Sequence, residues 1–137
     1  MPKFTWDHIH LRSPDPVGTG EFYRKMFDAR IERTEYPAGS PYAGQPKIAM
    51  TVGGQRVLIH PGHPKQPTGM APQAPNFGLE HIGLTVEDLD AAAAELERKG
   101  AEFWRKPTKT ATGNRHAFVR DPLGILIEVI ELGSGEE

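Results

Sequence analysis

The chain has 137 residues, of which 37% are hydrophobic and 25% are charged, and its formal net charge is −2. These values are ordinary for one globular domain, and they exclude a disordered chain and the strongly basic balance of a nucleic-acid binder. No apolar run approaches the roughly 20 residues of a membrane-spanning helix, no cysteine is present, and the N-terminus lacks a signal-peptide pattern. We therefore expect a cytoplasmic protein that binds a small molecule rather than a nucleic acid or a membrane.

In chain order, the first half is predicted to form a strand, a helix and three further strands. Apolar residues alternate after Trp6 and are followed by Asp15, which predicts a strand and then the N-cap of a helix over residues 19–27. Strand-like runs cover residues 30–36, 47–52 and 55–60, and Gly53-Gly54 predicts a two-residue hairpin turn. The loop over residues 37–46 is long for a hairpin, so we consider it a candidate functional loop.

The second half repeats this plan after a proline-rich linker at residues 61–78. Residues 79–88 match residues 6–15: both carry the pattern acid-His-Ile-x-Leu, with an aspartate seven residues after the histidine. A helix over residues 89–99 is predicted to end at Gly100, and strands follow at residues 102–105, 115–120 and 125–130, with a turn at 121–124. We therefore predict an α+β fold: a single domain in which two βαβββ modules, at residues 1–60 and 79–133, form a cupped mixed β-sheet.

The repeat places metal-competent side chains at corresponding strand positions. His8 and His81 lie in the first strands, and aligning the last strands places His60 over Glu128. A single histidine in an apolar strand more often packs there and bonds a carbonyl. Four related positions, one of them a carboxylate inside an apolar strand, favour a shared metal site. Without thiolates this set suits a divalent ion of Fe, Mn, Ni, Co or Zn.

Side chains that share a sheet face with the four donors are candidates for a substrate pocket, because side chains alternate along a strand. They are His10, Arg12, Arg56, His116 and Phe118. The two histidines are candidates for proton transfer near neutral pH, and the arginines and Phe118 for substrate binding. A packing role for His10 and a solvent-facing Arg12 stay open. Four ligands on a six-coordinate ion would leave two neighbouring positions for two adjacent substrate oxygens.

These features resemble the vicinal oxygen chelate superfamily, which includes glyoxalase I, extradiol dioxygenases and bleomycin-binding proteins. The resemblance is carried by four motifs, namely Asp7-His8-Ile9-x-Leu11, Glu21-Phe22-Tyr23-x-x-Met26-Phe27, Glu80-His81-Ile82-Gly83-Leu84-x-Val86-x-Asp88 and Phe118-Val119-Arg120-Asp121-Pro122-x-Gly124-x-x-x-Glu128. It implies a glyoxalase-like fold and metal ligands at His8, His81 and Glu128. The second ligand position, often Glu or Gln in the isomerases, is occupied here by His60.

The resemblance implies three possible activities. A glyoxalase I-like lyase/isomerase would use the metal to stabilise an enediolate, with Glu128 as the base and Arg12 holding a substrate carboxylate. An Fe(II) extradiol-type dioxygenase uses three ligands, so a fourth candidate argues against it. A non-catalytic, antibiotic-binding protein of the bleomycin-resistance type usually lacks the ligands. We expect the lyase/isomerase, in a homodimer whose subunit pairing covers the exposed strand edges.

Overall fold

The structure, a computed structural model, describes residues 1–133. It consists of two compact units, one from Met1 to Gly69 and the other from Met70 onward, and the division falls inside the predicted linker. Each unit holds one helix and one four-stranded mixed sheet, which confirms the two predicted βαβββ modules. No helix within residues 1–133 has the length and apolar character needed to cross a bilayer.

The first unit contains a four-stranded sheet and one helix. Its elements are β1 (Ile9–Arg12), α1 (Pro16–Phe27), β2 (Arg30–Glu35), β3 (Pro46–Val52) and β4 (Gln55–His60). The strand order is β1-β4-β3-β2, with β1 parallel to β4 and the other neighbours antiparallel. The parallel pair places the start of the chain beside the last strand of the unit.

The second unit has the same topology. Its elements are β5 (His81–Thr85), α2 (Leu89–Arg98), β6 (Glu102–Lys109), β7 (Arg115–Arg120) and β8 (Leu126–Glu131). The strand order is β5-β8-β7-β6, again with a parallel pair between the first and last strands. β6 runs four residues beyond its predicted end, because its pairing with β7 continues through two register shifts.

Local side-chain chemistry fixes where the helices and hairpins begin. α1 starts at Pro16, three residues earlier than predicted, because Asp15 Oδ1 accepts a hydrogen bond from Gly18 N and proline is tolerated in a first helical turn. The predicted hairpin turn is confirmed: Gly53 and Gly54 have φ of 56° and 84°, the positive values that a type I′ turn requires.

Each sheet packs one face against its helix, and the other face carries polar side chains together with apolar ones. In the first unit α1 packs on this core face, where Ile48, Met50 and Ile59 are at most 2% exposed. In the second unit α2 packs on its sheet, whose residues Val119 and Ile127 are fully buried. Because side chains alternate along a strand, the candidate site residues of each unit lie on the face away from the helix.

Candidate functional site

The histidine at the start of the first strand of each unit, His8 just before β1 and His81 as the first residue of β5, is bonded to the acid before it. His8 Nδ1 lies 2.6 Å from Asp7 Oδ2, and His81 Nδ1 lies 2.8 Å from Glu80 Oε1. The hydrogen bond from His8 is also the main cause that lowers the pKa of Asp7. An acid on Nδ1 holds a histidine in the tautomer whose Nε2 carries the lone pair, which is the usual support for a metal-binding imidazole. The repeated acid-His dipeptide was the sequence signal for Asp7 and Glu80, which were not predicted as site residues.

In the second unit, Glu128 lies between two imidazoles. Its Oε1 is 3.2 Å from His81 Nε2, and its Oε2 is 2.8 Å from His116 Nδ1. The cross-strand neighbour of Glu128 on β5 is Gly83, and a Cβ atom at that position would lie 3.7 Å from Glu128 Oε1, an ordinary van der Waals distance. Two ligands with metal bonds of about 2.1 Å at a right angle are about 3 Å apart, so the spacing of His81 and Glu128 fits one cation. The structure thus brings His81, Glu128 and His116 together within one unit.

Aromatic rings form a wall beside this carboxylate. Phe118 pairs with Glu128 across β7 and β8, and its ring centroid lies 5.3 Å from that of His81 and 5.0 Å from that of His116. Trp104 on β6 packs edge-on against Phe118 at 5.4 Å and is 40% exposed. The sequence predicted Phe118 as a pocket residue but not Trp104, because the irregular pairing of β6 obscures which of its side chains share that face.

The strand register corrects the predicted alignment of the two modules. Gly83 pairs with Glu128 in the second unit, and its counterpart in the first unit, His10, pairs with Leu58. Leu58 therefore occupies the position equivalent to Glu128, and the alignment of His60 with Glu128 is wrong by two residues. A shift of two residues keeps every side chain on the same face, so the alternating pattern in the sequence does not reveal it.

The ring of His60 packs among three other rings in the first unit. Its ring centroid is 4.3 Å from His10, 5.5 Å from Tyr36 and 5.7 Å from Tyr42. Burial, followed by the nearby groups His10 and Arg12, lowers the pKa of His60 to about 4. Burial likewise lowers the pKa of His10, followed by the charge of Arg12. Both imidazoles are consequently neutral at physiological pH.

The two predicted substrate-binding arginines have different surroundings. Arg12 Nη1 donates to Tyr42 Oη and to the carbonyl oxygen of Pro61, each at 2.8 Å, so the side chain is fixed within its own unit. Arg56 is exposed on β4, and its positive charge contributes to the lowered pKa of Asp7. Arg12 is therefore pre-positioned, whereas the substrate-binding role of Arg56 stays a prediction.

The four-ligand site stays a prediction. Within residues 1–133, no group of three or more histidine, aspartate and glutamate side chains is arranged to hold one metal ion. The structure pairs His81 with Glu128 in one unit, and in the other it groups His8, His10 and His60, the first two with ring centroids 6.1 Å apart.

Acidification is expected to destabilise the protein through His60. Its pKa is about 4 when folded against 6.5 as the reference value, so the unfolded chain binds a proton more readily, and stability falls as the pH drops from 6.5 towards 4. We expect His60→Gln to reduce this acid-induced drop in the free energy of unfolding by about 2 kcal/mol, after allowance for solvent screening.

Urea unfolding of wild type and variant at about pH 7.5 and about pH 4.5 measures the drop. His63→Gln, beside Tyr42 at 5.8 Å, is the matched control. Equal acid loss in wild type and His60→Gln would contradict the assignment.

The comparisons with known proteins agree with this architecture. A family model described as the Glyoxalase/Bleomycin resistance protein/Dioxygenase superfamily matches residues 5–129. The uncharacterized protein YwkD of Bacillus subtilis is 34% identical over 125 residues, which cover 90% of this chain and 94% of that protein. Lactoylglutathione lyase of Schizosaccharomyces pombe is 26% identical over 140 residues, which cover 96% of this chain but only 46% of the lyase.

Solved structures share the fold at low sequence identity. A glyoxalase family protein from Enterococcus faecalis superposes with a TM-score of 0.70 at 23% identity, covering 90% of this chain and 94% of that one. A glyoxylase/bleomycin resistance protein/dioxygenase domain from Frankia sp. EAN1pec reaches 0.72 at 18% identity, covering 98% and 96%. The structural likeness gives the fold, and the family model spans nearly all of the described residues. The chain therefore belongs to the Glyoxalase/Bleomycin resistance protein/Dioxygenase superfamily.

Proposed function

We propose that this protein is a metal-dependent, glyoxalase I-like lyase/isomerase that acts on a small substrate with two adjacent oxygens. The observation that carries the proposal is the Glu128 carboxylate, which is 18% exposed and lies between the imidazoles of His81 and His116. A carboxylate kept from water beside two neutral or cationic rings is suited to holding a cation and to exchanging a proton. The similarity to lactoylglutathione lyase supports the reaction class.

The donors that would hold the metal are His81 Nε2 and Glu128, whose spacing fits one cation. The family resemblance adds His8 as a further ligand, and this part of the proposal rests on the resemblance. Leu58 is the register counterpart of Glu128 and has no donor atom, so we propose a set of two histidines and one carboxylate that leaves out His60. When bound, a divalent ion of Fe, Mn, Ni, Co or Zn supplies Lewis-acid polarisation of the two substrate oxygens.

The proton chemistry is assigned to the residues around Glu128. Its carboxylate is the base that accepts the proton from the substrate carbon, because it faces Nε2 of His81, the proposed ligand atom, whereas Glu80 is bonded to Nδ1. His116 bonds the second carboxylate oxygen and fixes the orientation of the base. Phe118 shields the pair from water, which strengthens the electrostatic interactions there. A catalytic role for His10 stays a prediction.

An Fe(II) extradiol-type dioxygenase is the second candidate function. Two histidines and one carboxylate are the ligand set typical of non-haem Fe(II) oxygenases. Counting His60 as a fourth ligand argued against this activity. Since Leu58 rather than His60 corresponds to Glu128 in the strand register, the proposed ligand set has three members and that argument no longer applies.

Metal analysis of freshly purified protein, followed by two turnover assays, tests the proposal. We expect about one divalent ion per chain and isomerisation of a hemithioacetal under anaerobic conditions. Oxygen-dependent ring cleavage of a catechol with Fe(II), without hemithioacetal turnover, would replace the first candidate with the second. A protein that binds no divalent metal and turns over neither substrate would overturn both, and would leave the non-catalytic binding protein.

We also propose the homodimer expected from the sequence. Four large apolar side chains lie at corresponding positions before β1 and β5, and all are at least 77% exposed: Phe4, Trp6, Phe77 and Leu79. Apolar surface of this kind marks an interaction site. Sedimentation velocity measures the oligomeric state directly, and a monomer at micromolar concentration would contradict the proposed homodimer.

A further inference from the structure

We propose that the first unit carries an oxyanion-binding subsite, formed by Tyr36, His60 and Lys47, that takes a carboxylate or phosphoryl group of a ligand. The assignment of that group to the substrate rests on the proposed function, whereas the binding of the anion does not. None of these three side chains is needed to hold the metal in the proposal above.

Two buried polar atoms in this cluster have no hydrogen-bond partner within residues 1–133. They are Tyr36 Oη and His60 Nε2, on rings whose centroids lie 5.5 Å apart. Tyr36 is only 8% exposed, so water does not reach its hydroxyl freely. An unpartnered buried donor costs about 1–3 kcal/mol, and most buried polar groups avoid that cost. Two such atoms on neighbouring rings, a hydroxyl and an Nε2 that donates when it carries the proton, indicate a ligand that accepts from both.

The charge around these atoms is positive and uncompensated. Among the charges that lower the pKa of His60 are those of two side chains that are not histidines, Arg12 and Lys47. Lys47 Nζ lies 6.0 Å from the centre of the Tyr36 ring. Among the described ion pairs, neither Lys47 nor Arg12 is joined to a carboxylate. A bound anion would supply the missing negative charge.

An oxyanion explains both observations, whereas a trapped water explains only one. A water molecule would satisfy the hydroxyl of Tyr36 and the ring of His60, but it would leave the positive charge unbalanced. A carboxylate or phosphoryl oxygen accepts hydrogen bonds from both donors and forms a charge-assisted contact with Lys47. Arg12 is exposed and Lys47 is half-buried, so the charged rim of the cluster is open to solvent.

Loop residue Tyr42 closes one side of the cluster. Its ring centroid lies 5.1 Å from Tyr36 and 5.7 Å from His60, and its hydroxyl is held by Arg12. Tyr42 is therefore a wall of the subsite, and its hydroxyl oxygen accepts from Arg12. In this proposal the long loop between β2 and β3 takes part in ligand binding through Tyr42, and the functional role expected from its length stays a prediction.

The test uses the full chain, stripped of metal, and two anion probes, acetate and methylphosphonate. We expect a saturable shift of the His60 ring signals in NMR spectra with at least one probe, and the probe that binds identifies the group as carboxylate or phosphoryl. Lys47→Gln should weaken this binding by at least about tenfold, because a charge-assisted hydrogen bond is lost. The control Lys25→Gln makes the same change of charge at an exposed site on α1 and should leave the affinity unchanged.

Tyr36→Phe separates a ligand-binding hydroxyl from a structural one. It should weaken the binding of the anion several-fold. The urea midpoint of the free protein should stay unchanged or rise, because the hydroxyl it removes has no hydrogen-bond partner within residues 1–133. Saturation by neither probe, equal weakening in Lys25→Gln and Lys47→Gln, or a lower urea midpoint in Tyr36→Phe would each overturn the subsite. Because the protein is metal-free, failure of the proposed enzymatic activity leaves this result intact, and the reverse holds as well.

Discussion

Replacing Glu128 with glutamine is expected to lower turnover by about two to four orders of magnitude, the range typical for loss of a positioned general base. Glutamine has nearly the same shape, so Phe118 and the two flanking histidines keep their packing. The variant loses the negative charge that holds a cation beside His81 Nε2 and the oxygen pair that accepts a proton. Measured kcat and metal content should therefore fall together, while circular dichroism stays like that of the wild type.

The matched control for this change is Glu102→Gln. Glu102 lies on β6 of the same unit, its side chain is 73% exposed, and its partner is Arg120 rather than a histidine. The control makes the same change of net charge and should alter kcat by less than about twofold, since exposed ion pairs contribute little. A Glu128→Gln protein with full metal content and wild-type kcat would exclude this carboxylate as ligand and as base.

Periodicity in the sequence predicted the modules but not the alignment of their strands. The alternation of apolar residues in β4 and β8 identifies both as strands with one buried face, and the structure confirms that. The same alternation fits two registers that differ by two residues, and only the hydrogen-bonded pairing with β1 and β5 distinguishes them. His60 was therefore predicted at the place that Leu58 occupies.

The neighbours of His60 could not be predicted from the sequence either. Tyr36 directly follows β2 and Tyr42 lies on the loop after it, and both meet His60 only because β3 and β4 pair beside them. Contacts between residues so far apart in the chain depend on tertiary packing, for which a single sequence carries no direct pattern. The length of the loop indicated a function without indicating which side chain serves it.

The hydrogen bonds within the two acid-His pairs differ from what strand geometry predicts. Adjacent side chains in an extended strand point to opposite faces. By that rule Asp7 and Glu80 should point away from the histidines that follow them. β1 begins at Ile9 and β5 at His81, so each acid lies just outside its strand, where the backbone is free to turn its side chain onto the ring. The dipeptide was visible as a repeat, but its geometry depended on where the strands start.

Glu80→Gln is expected to weaken metal binding by about 10- to 100-fold, the usual effect of losing a carboxylate that supports a metal-bound histidine. The carboxylate accepts from His81 Nδ1 at 2.8 Å, so it fixes the tautomer and increases the basicity of Nε2. Glutamine can still accept a hydrogen bond, but it lacks the charge. Competition against a chromophoric chelator measures the affinity, and kcat at saturating metal should recover most of its wild-type value, because Glu80 touches neither Glu128 nor the proposed substrate.

The recovery at high metal concentration distinguishes this positioning role from a catalytic one. Glu87→Gln, an exposed site in the same unit with the same change of charge, is the control and should bind metal as the wild type does. If Glu80→Gln retains wild-type affinity, His81 needs no carboxylate to act as a ligand. If both variants lose affinity equally, the effect is one of net charge alone. Either result would exclude a role for the Glu80–His81 pair in metal binding. The hydrogen bond between Glu128 and His116 would remain as the basis of the proposed chemistry.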